Sequence, residues 1–284
     1  MILDKVLNYQ LKPVEHTISE KDCMLYSLGI GLGANPVDPK QLQFVYEKNL
    51  KVFPSQSVVI AHPGAWVTDP ELDINWIKLL HGEQTITQHH PLQPGKTYVG
   101  NYRVLGVVDK GEGKGSILYQ EKTLTDKESG KLTSTVTSSY FMRGDGGCGS
   151  SDFTPPTQVV IPERTADKST EISTAENAGL IYRLSGDYNP IHGDPEKAKK
   201  AGFERPILHG LCTFGVATRA ILDTYCDSDP EKLEFIGLRF SSPVYPGETI
   251  KVDFWEGESD IKFSATAVER GVKILNQGLA RIKI

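Results

Sequence analysis

An internal duplication constrains this chain more than any other feature of its sequence. The segment Lys21-Asp-Cys-Met-Leu-Tyr-Ser-Leu28 is echoed by Asn177-Ala-Gly-Leu-Ile-Tyr-Arg-Leu184, with an aliphatic pair, a Tyr and a Leu at matching places. Tyr26 and Tyr182 are 156 residues apart. Farther on, Pro91-Leu-Gln-Pro-Gly-Lys-Thr97 recurs as Pro243-Val-Tyr-Pro-Gly-Glu-Thr249, at a spacing of 152. Each copy of the first segment follows a Ser/Thr-x-x-Glu pattern, Thr17 to Glu20 and Ser173 to Glu176, which reads as a helix capping box. One match alone would mean little. Two at nearly one spacing call for two halves of one fold.

After each Pro-x-x-Pro-Gly-x-Thr turn the pattern becomes strand-like. Residues 98–108 and 250–255 are rich in β-branched and aromatic side chains. The first half continues with strand patterns at 116–124 and 132–142, set off by hairpin turns at 111–115 and 126–130. The second half ends with strand patterns at 261–268 and 274–284, split by Glu269-Arg270-Gly271. Each half thus reads as helical material followed by an antiparallel meander, an α+β arrangement. The halves span residues 1–145 and 161–284, with 146–160 as a linker. The Gly/Ser-rich run from Arg143, closed by Pro155 and Pro156, has the composition of a flexible connection. It lacks the Gly-Lys-Ser/Thr ending of a phosphate-binding loop.

One asymmetry stands out. Residues 211–225 are apolar nearly all round and long enough for a buried helix. The comparable stretch of the first half, 54–73, is broken by Pro63, Gly64 and Pro70, which helix interiors reject. A first half without its central helix leaves room for an apolar cavity.

Bulk properties exclude several classes. Of 284 residues, 38% are hydrophobic and 24% charged, as in a soluble globular protein, and the formal net charge of -5 argues against nucleic acid as partner. A local basic patch for a phosphate-bearing ligand stays compatible with that charge. Cys23, Cys148, Cys212 and Cys226 form no Cys-x-x-Cys pair and read as reduced thiols. Residues 1–16 contain no apolar stretch long enough for a signal peptide or membrane span. The last three residues, Ile-Lys-Ile284, are a distant variant of a peroxisomal tripeptide address or simply the end of a strand.

The chemistry concentrates between Tyr182 and Gly215. Asp187, Asn189 and His192 fall on one short turn, after a helix that Ser185-Gly186 terminates and around a proline that forbids its resumption. A carboxylate, an amide and an imidazole together suit proton transfer. They also make good turn chemistry without any function. Asp194-Pro195-Glu196 starts another short helix and reads as structural. His209-Gly210 opens the buried helix. A glycine there presents a backbone N–H along the positive end of the helix dipole, which suits an oxyanion; the alternative is a glycine required by packing. His16, His62, His81, His89 and His90 make no metal-ligand spacing, and His89 and His90 alternate across a strand, so no metal is expected. Without Gly-x-Ser-x-Gly or a cysteine beside a base, covalent catalysis is disfavoured.

The run Tyr182-Arg-Leu-Ser-Gly-Asp-Tyr-Asn-Pro-Ile-His192, followed by Ala198, resembles the hydratase 2 motif of the MaoC-like family. Gly202-Phe-Glu-Arg-Pro-Ile-Leu-His-Gly-Leu-Cys-Thr-Phe-Gly215 is similar to the next block of that family's eukaryotic members. The likeness covers most of the chain. It is to the R-specific 2-enoyl-CoA hydratase 2 region of peroxisomal multifunctional enzymes of type 2, most like the yeast form.

The resemblance implies a double hot-dog fold, two antiparallel sheets each wrapped on helical material. It implies reversible hydration of trans-2-enoyl-CoA to (3R)-3-hydroxyacyl-CoA in peroxisomal β-oxidation, with no cofactor beyond the coenzyme A of the substrate. By similarity Asp187 and His192 are the acid/base pair, Asn189 orients them and the water, and the Gly210 amide takes the thioester oxygen. His81, Gly82, Lys110, Arg183, Tyr188, Pro190, Ile191 and Phe240 align with substrate or coenzyme A contacts, Lys110 and Arg183 suiting its phosphates. The first half, which reads Leu28-Gly-Ile-Gly-Leu32 at the matching place, would house the acyl tail, giving one active site per chain. A homodimer and fusion to dehydrogenase domains are family expectations. The rival readings are a hot-dog acyl-CoA thioesterase and a non-catalytic acyl-CoA-binding module.

Overall fold

The duplication is realised strand for strand. The computed structural model describes residues 1–283, so Ile284, the last residue of the address-like tripeptide, lies outside the described residues. The first half supplies β1 (Val14–Thr17), β2 (Leu79–Gln88), β3 (Thr97–Asp109), β4 (Ser116–Asp126) and β5 (Leu132–Met142). The second supplies β6 (Lys168–Ser173), β7 (Leu233–Phe240), β8 (Thr249–Glu256), β9 (Ile261–Ala267) and β10 (Val272–Ile282). They form one sheet in the order β1-β3-β4-β5-β2-β7-β10-β9-β8-β6, with every pairing antiparallel. Counted from one within each half, both halves read 1-3-4-5-2. They meet at the β2–β7 pair, which runs from Glu83 opposite Arg239 to Thr87 opposite Phe235. This is the α+β double hot-dog expected from the sequence.

Six helices accompany the sheet among the described residues: α1 (Leu3–Leu7), α2 (Glu20–Gly29), α3 (Pro39–Leu42), α4 (Ala178–Tyr182), α5 (Pro195–Lys200) and α6 (Gly210–Tyr225). The helix α6 is the core of the second half. Residues Cys212 to Leu222 are buried on every face, against β6, β7 and β8. This fits its sequence, which is apolar nearly all round.

In the first half the equivalent place is taken by irregular chain. A 3₁₀ turn, Pro54–Val58, packs against α6. Phe53 and Phe44 meet edge to face at 5.1 Å and join the same core. The turn is pinned from the sheet. The buried Lys122 ammonium on β4 donates to Ser57 O at 2.7 Å, Val58 O at 3.1 Å and Ile60 O at 2.8 Å. Burial pushes Lys122 down to about 7, while three carbonyl acceptors favour its charged form.

The short helices before the central elements are equivalent too. The rings of Tyr26 on α2 and Tyr182 on α4 lie 5.7 Å apart, so the repeat-related tyrosines touch each other. Their helices do not begin as expected. The capping box of α2 is formed by Ser19 and Asp22, not Thr17 and Glu20. Helix α4 has Asn177 at its N-cap and no side-chain cap. The reason is that Thr17 and Ser173 are still in strands. Thr17 Oγ1 bonds Thr97 Oγ1 at 2.7 Å, and Ser173 Oγ bonds Thr249 Oγ1 at 3.3 Å, the same interaction in each half.

Two further expectations are corrected. The Gly/Ser-rich run is not loose: it is tied along β3. Ser151 N–H donates to Val107 O at 2.9 Å and Ser151 Oγ accepts Val107 N–H at 3.0 Å. Ser150 Oγ accepts Asp109 N–H, and the Asp109 carboxylate accepts the N–H groups of Gly111, Gly147 and Gly149. A Cβ on Gly146 would lie 2.3 Å from Gly111 O, so the glycines serve close approach of backbones. His89 and His90 lie past the end of β2, not on alternate faces of it. Both of their N–H groups donate to Thr133 O.

The contact between α6 and the first half is tight enough to test. A Cβ on Gly215 would lie 2.5 Å from Ile30 Cγ2 and 3.2 Å from Tyr26 Oη. Gly215→Val is expected to lower stability by ~1–3 kcal/mol through overpacking, read as a lower urea midpoint. An unchanged midpoint would contradict this packing.

Candidate active site

The turn after α4 is built by side chains that bond their own backbone. A 3₁₀ turn, Arg183–Ser185, extends α4 and ends at Gly186, whose φ of 118° suits glycine. Asp187 Oδ1 then accepts Asn189 N–H at 3.1 Å, and Asn189 Oδ1 accepts Ile191 N–H at 3.3 Å. Pro190 opens a second 3₁₀ turn, Pro190–His192. Ile191 O accepts Ile207 N–H at 3.2 Å, fixing the turn to the chain that leads into α6. The turn-forming reading of Asp187 and Asn189 is therefore realised, and it leaves Asp187 Oδ2 outside these bonds, on the His192 side.

His192 is buried, and its Nδ1 lies 2.9 Å from Ile207 O. A carbonyl only accepts, so Nδ1 carries the hydrogen and Nε2 keeps the lone pair. Nε2 stands 4.0 Å from Asp187 Oδ2. That is too long for a direct hydrogen bond and suits an oxygen atom held between the two.

The start of α6 closes the site from the other side. Gly210 is its first residue, and first-turn N–H groups have no intrahelical acceptor. The Phe240 ring, at the end of β7, lies 3.4 Å from where a Gly210 Cβ would stand. His81 on β2 meets Phe240 edge to face at 5.1 Å and Tyr140 on β5 at 5.2 Å. Gly82 marks the bulge between His81 and Glu83, where a Cβ would lie 2.9 Å from Ser139 Oγ. The structure thus gathers Asp187, Asn189, His192, Gly210, His81, Gly82 and Phe240 at one place. Pro190 and Ile191 shape the turn. The Arg183 guanidinium lies 4.9 Å over the exposed ring of Tyr188, beside the turn. Lys110 is the exception. It is exposed at the β3–β4 hairpin, where its N–H donates to Gly115 O. No hydrogen bond or ring contact joins it to the cluster among the described residues.

Sequence reasoning passed over His209, taken only as the neighbour of Gly210. Its ring stacks on His192 at 3.8 Å and 26°, and lies 5.0 Å from the Tyr182 ring. Its Nε2 bonds Asp187 O at 3.1 Å. The available signal was its place at the N-cap without the Ser, Thr, Asp or Asn that such a position favours.

Burial sets the charge state of the site. It pushes His192 below its ordinary value and both His81 and His209 down to about 4, with His192 a further cause for His209. All three are neutral at pH 7, and Asp187 faces them. Asp187, His192 and His209 each place one ligand-type atom within 4.8 Å of the others. The two imidazoles are stacked, however, and lone pairs lie in the ring planes. Stacked rings project side by side and do not converge on one ion as a metal requires.

Residues 158–277 match the MaoC like domain, and residues 16–144 match the MFE-2 hydratase 2 N-terminal domain. A relative from Arabidopsis thaliana, "Enoyl-CoA hydratase 2, peroxisomal", is 36% identical over 96% of this chain and 93% of its own. The crystal structure of a MaoC-like dehydratase from Phytophthora capsici superposes with a TM-score of 0.87 at 36% identity, covering 99% of this chain and 98% of that one. Full-length peroxisomal multifunctional enzyme type 2 from Drosophila melanogaster gives 0.80 at 34% identity, covering 95% of this chain and 48% of that one. With a duplicated hot-dog sheet, a turn carrying Asp187 and His192 beside the start of α6, and relatives of this likeness along nearly its whole length, the chain belongs to the MaoC-like enoyl-CoA hydratase 2 family.

Proposed function

We propose that this chain adds water to trans-2-enoyl-CoA to give (3R)-3-hydroxyacyl-CoA, reversibly, with Asp187 and His192 as the proton-handling pair and Gly210 N–H as the oxyanion donor. The observation that carries the reading is the 4.0 Å gap between Asp187 Oδ2 and a lone-pair-bearing His192 Nε2. A water held there gives a proton to Nε2 while its oxygen bonds C3. The C2=C3 π electrons move into the thioester, and the charge on its oxygen meets the Gly210 N–H. Such a donor typically contributes about 3–4 kcal/mol. The proton on Nε2, stabilised by the Asp187 carboxylate, then passes to C2, so all atoms of the water end in the product. Asn189 holds the turn in register.

The wider setting is part of the same reading: a homodimer acting in peroxisomal β-oxidation, with the acyl tail in the first half. Arg183 and Tyr188 border the turn where the coenzyme A end would leave, and Lys110 would meet only a distant part of it. The name of the plant relative supports the compartment. Enoyl-CoA consumption is read as loss of the conjugated-enoyl absorbance, and chiral analysis of the product tests the R configuration. Release of free coenzyme A thiol would instead favour the thioesterase. Binding without turnover would favour the non-catalytic module.

Asp187→Asn and His192→Gln are each expected to lower kcat by about 10²–10⁴-fold with little change in thermal midpoint. Full activity in either would remove that residue from the mechanism.

The base must be neutral to accept a proton. His192 is held below its ordinary value, mainly by burial, so kcat/KM is expected to fall only on the acid side, with a midpoint below about 6.5. Asp187 draws the His192 value upward, so Asp187→Asn moves the residual activity's acid limb to still lower pH. A limb above 7 would contradict the assignment.

Because the imidazoles stack and do not converge, turnover is expected to be unchanged after dialysis against EDTA. Loss restored by a divalent cation would overturn the metal-free reading.

A further inference from the structure

His209 is a buried imidazole that the proposed chemistry does not use. Yet it touches both halves of the site. Nε2 lies 3.1 Å from the backbone oxygen of Asp187. That oxygen can only accept, so Nε2 carries the hydrogen and Nδ1 is a bare acceptor. Nδ1 is buried without a hydrogen-bond partner among the described residues, which carries a desolvation cost. A residue kept for packing alone would be better served by an apolar ring. One face of the imidazole lies on His192 at 3.8 Å, and Tyr182 lies 5.0 Å away. In the chain, His209 is the residue directly before Gly210.

We propose that His209 is a positioning residue that joins the oxyanion amide to the acid/base turn. Its Nε2–H holds the Asp187 carbonyl, and its own backbone leads straight into the Gly210 N–H. The distance between the proton-handling pair and the oxyanion donor is then fixed through one side chain. This rests on the hydratase reading above. Burial holds the ring below its ordinary value, so Nδ1 stays bare while Nε2–H donates to the Asp187 carbonyl.

Three substitutions separate the N–H from the ring. His209→Gln places an amide N–H near the Nε2 position but has no ring. His209→Phe keeps the ring and drops the N–H. His209→Asn reaches only the Nδ1 position. Each is assayed with trans-2-decenoyl-CoA in the full chain, beside the wild type, with thermal midpoints taken in parallel. Misplacement of a reacting group by about 1 Å costs on the order of 100-fold in rate. His209→Phe and His209→Asn are therefore expected to lose about that much in kcat, with KM changed less than about threefold. His209→Gln is expected to retain at least about tenfold more kcat than either. If His209→Phe does not fold, the Gln and Asn pair decides. Phe matching or exceeding Gln, all variants equal to wild type, or Gln no better than Asn would each overturn the proposal. An active wild type with any of those outcomes overturns this inference alone. An inactive wild type overturns the hydratase reading and this inference with it.

Discussion

The β2–β7 ladder is the interaction on which the site depends. Residues Glu83 to Thr87 pair with Phe235 to Arg239 and join two five-stranded sets into one sheet. One residue beyond that ladder stands Phe240, and on the other strand, two residues before Glu83, stands His81. Their rings meet at 5.1 Å, and that of Phe240 lies against the start of α6 at Gly210. A one-residue slip of β7 would turn Phe240 away from Gly210 and send its neighbours to the opposite face of the sheet. One side of the proposed site is thus made by pairing between the halves, and its Asp187 and His192 come from one of them.

The two halves share one frame and differ where the proposed site lies. Both halves keep the strand order, the threonine or serine contact at the end of the first strand, and the tyrosine of the short helix. They part after that tyrosine. The second half runs through Asp187, His192 and a sixteen-residue helix. The first runs through glycines and prolines, and Lys122 fastens the resulting turn by its carbonyls. A lysine buried without an acidic partner is unusual. Here the three carbonyl ends of an interrupted helical turn take the acidic partner's place.

The parts of this arrangement legible in the sequence were those with strong local chemistry. The hairpins of β3, β4 and β5 show through their glycine turns, and α6 through its length and apolarity. The turn from Gly186 to His192 shows through Asp, Asn and Pro. The strands β1, β2, β6 and β7 were not legible. β2 reads as polar because it carries His81, Glu83, Gln84 and Gln88. The buried Gln84 is satisfied mainly across the sheet, accepting from Ser138 and donating to Thr137 O, with one further bond to the neighbouring Thr85 O. The capping boxes misled because Thr17 and Ser173 bond across the sheet instead, an alternative that local spacing does not reveal. His209 went unread because its importance lies in stacking against a residue seventeen positions away.

Tyr26 and Tyr182, the matching residues of the two halves, face each other where the halves meet. In an assembly of two identical chains such a contact is self-complementary, and any substitution there is imposed twice at once. Fusion into one polypeptide removes that constraint. Tyr26 donates to Ser55 beside the irregular segment, whereas Tyr182 backs His209. Two rings at matching places in the repeat thus answer to different neighbours, and each half can change there by itself.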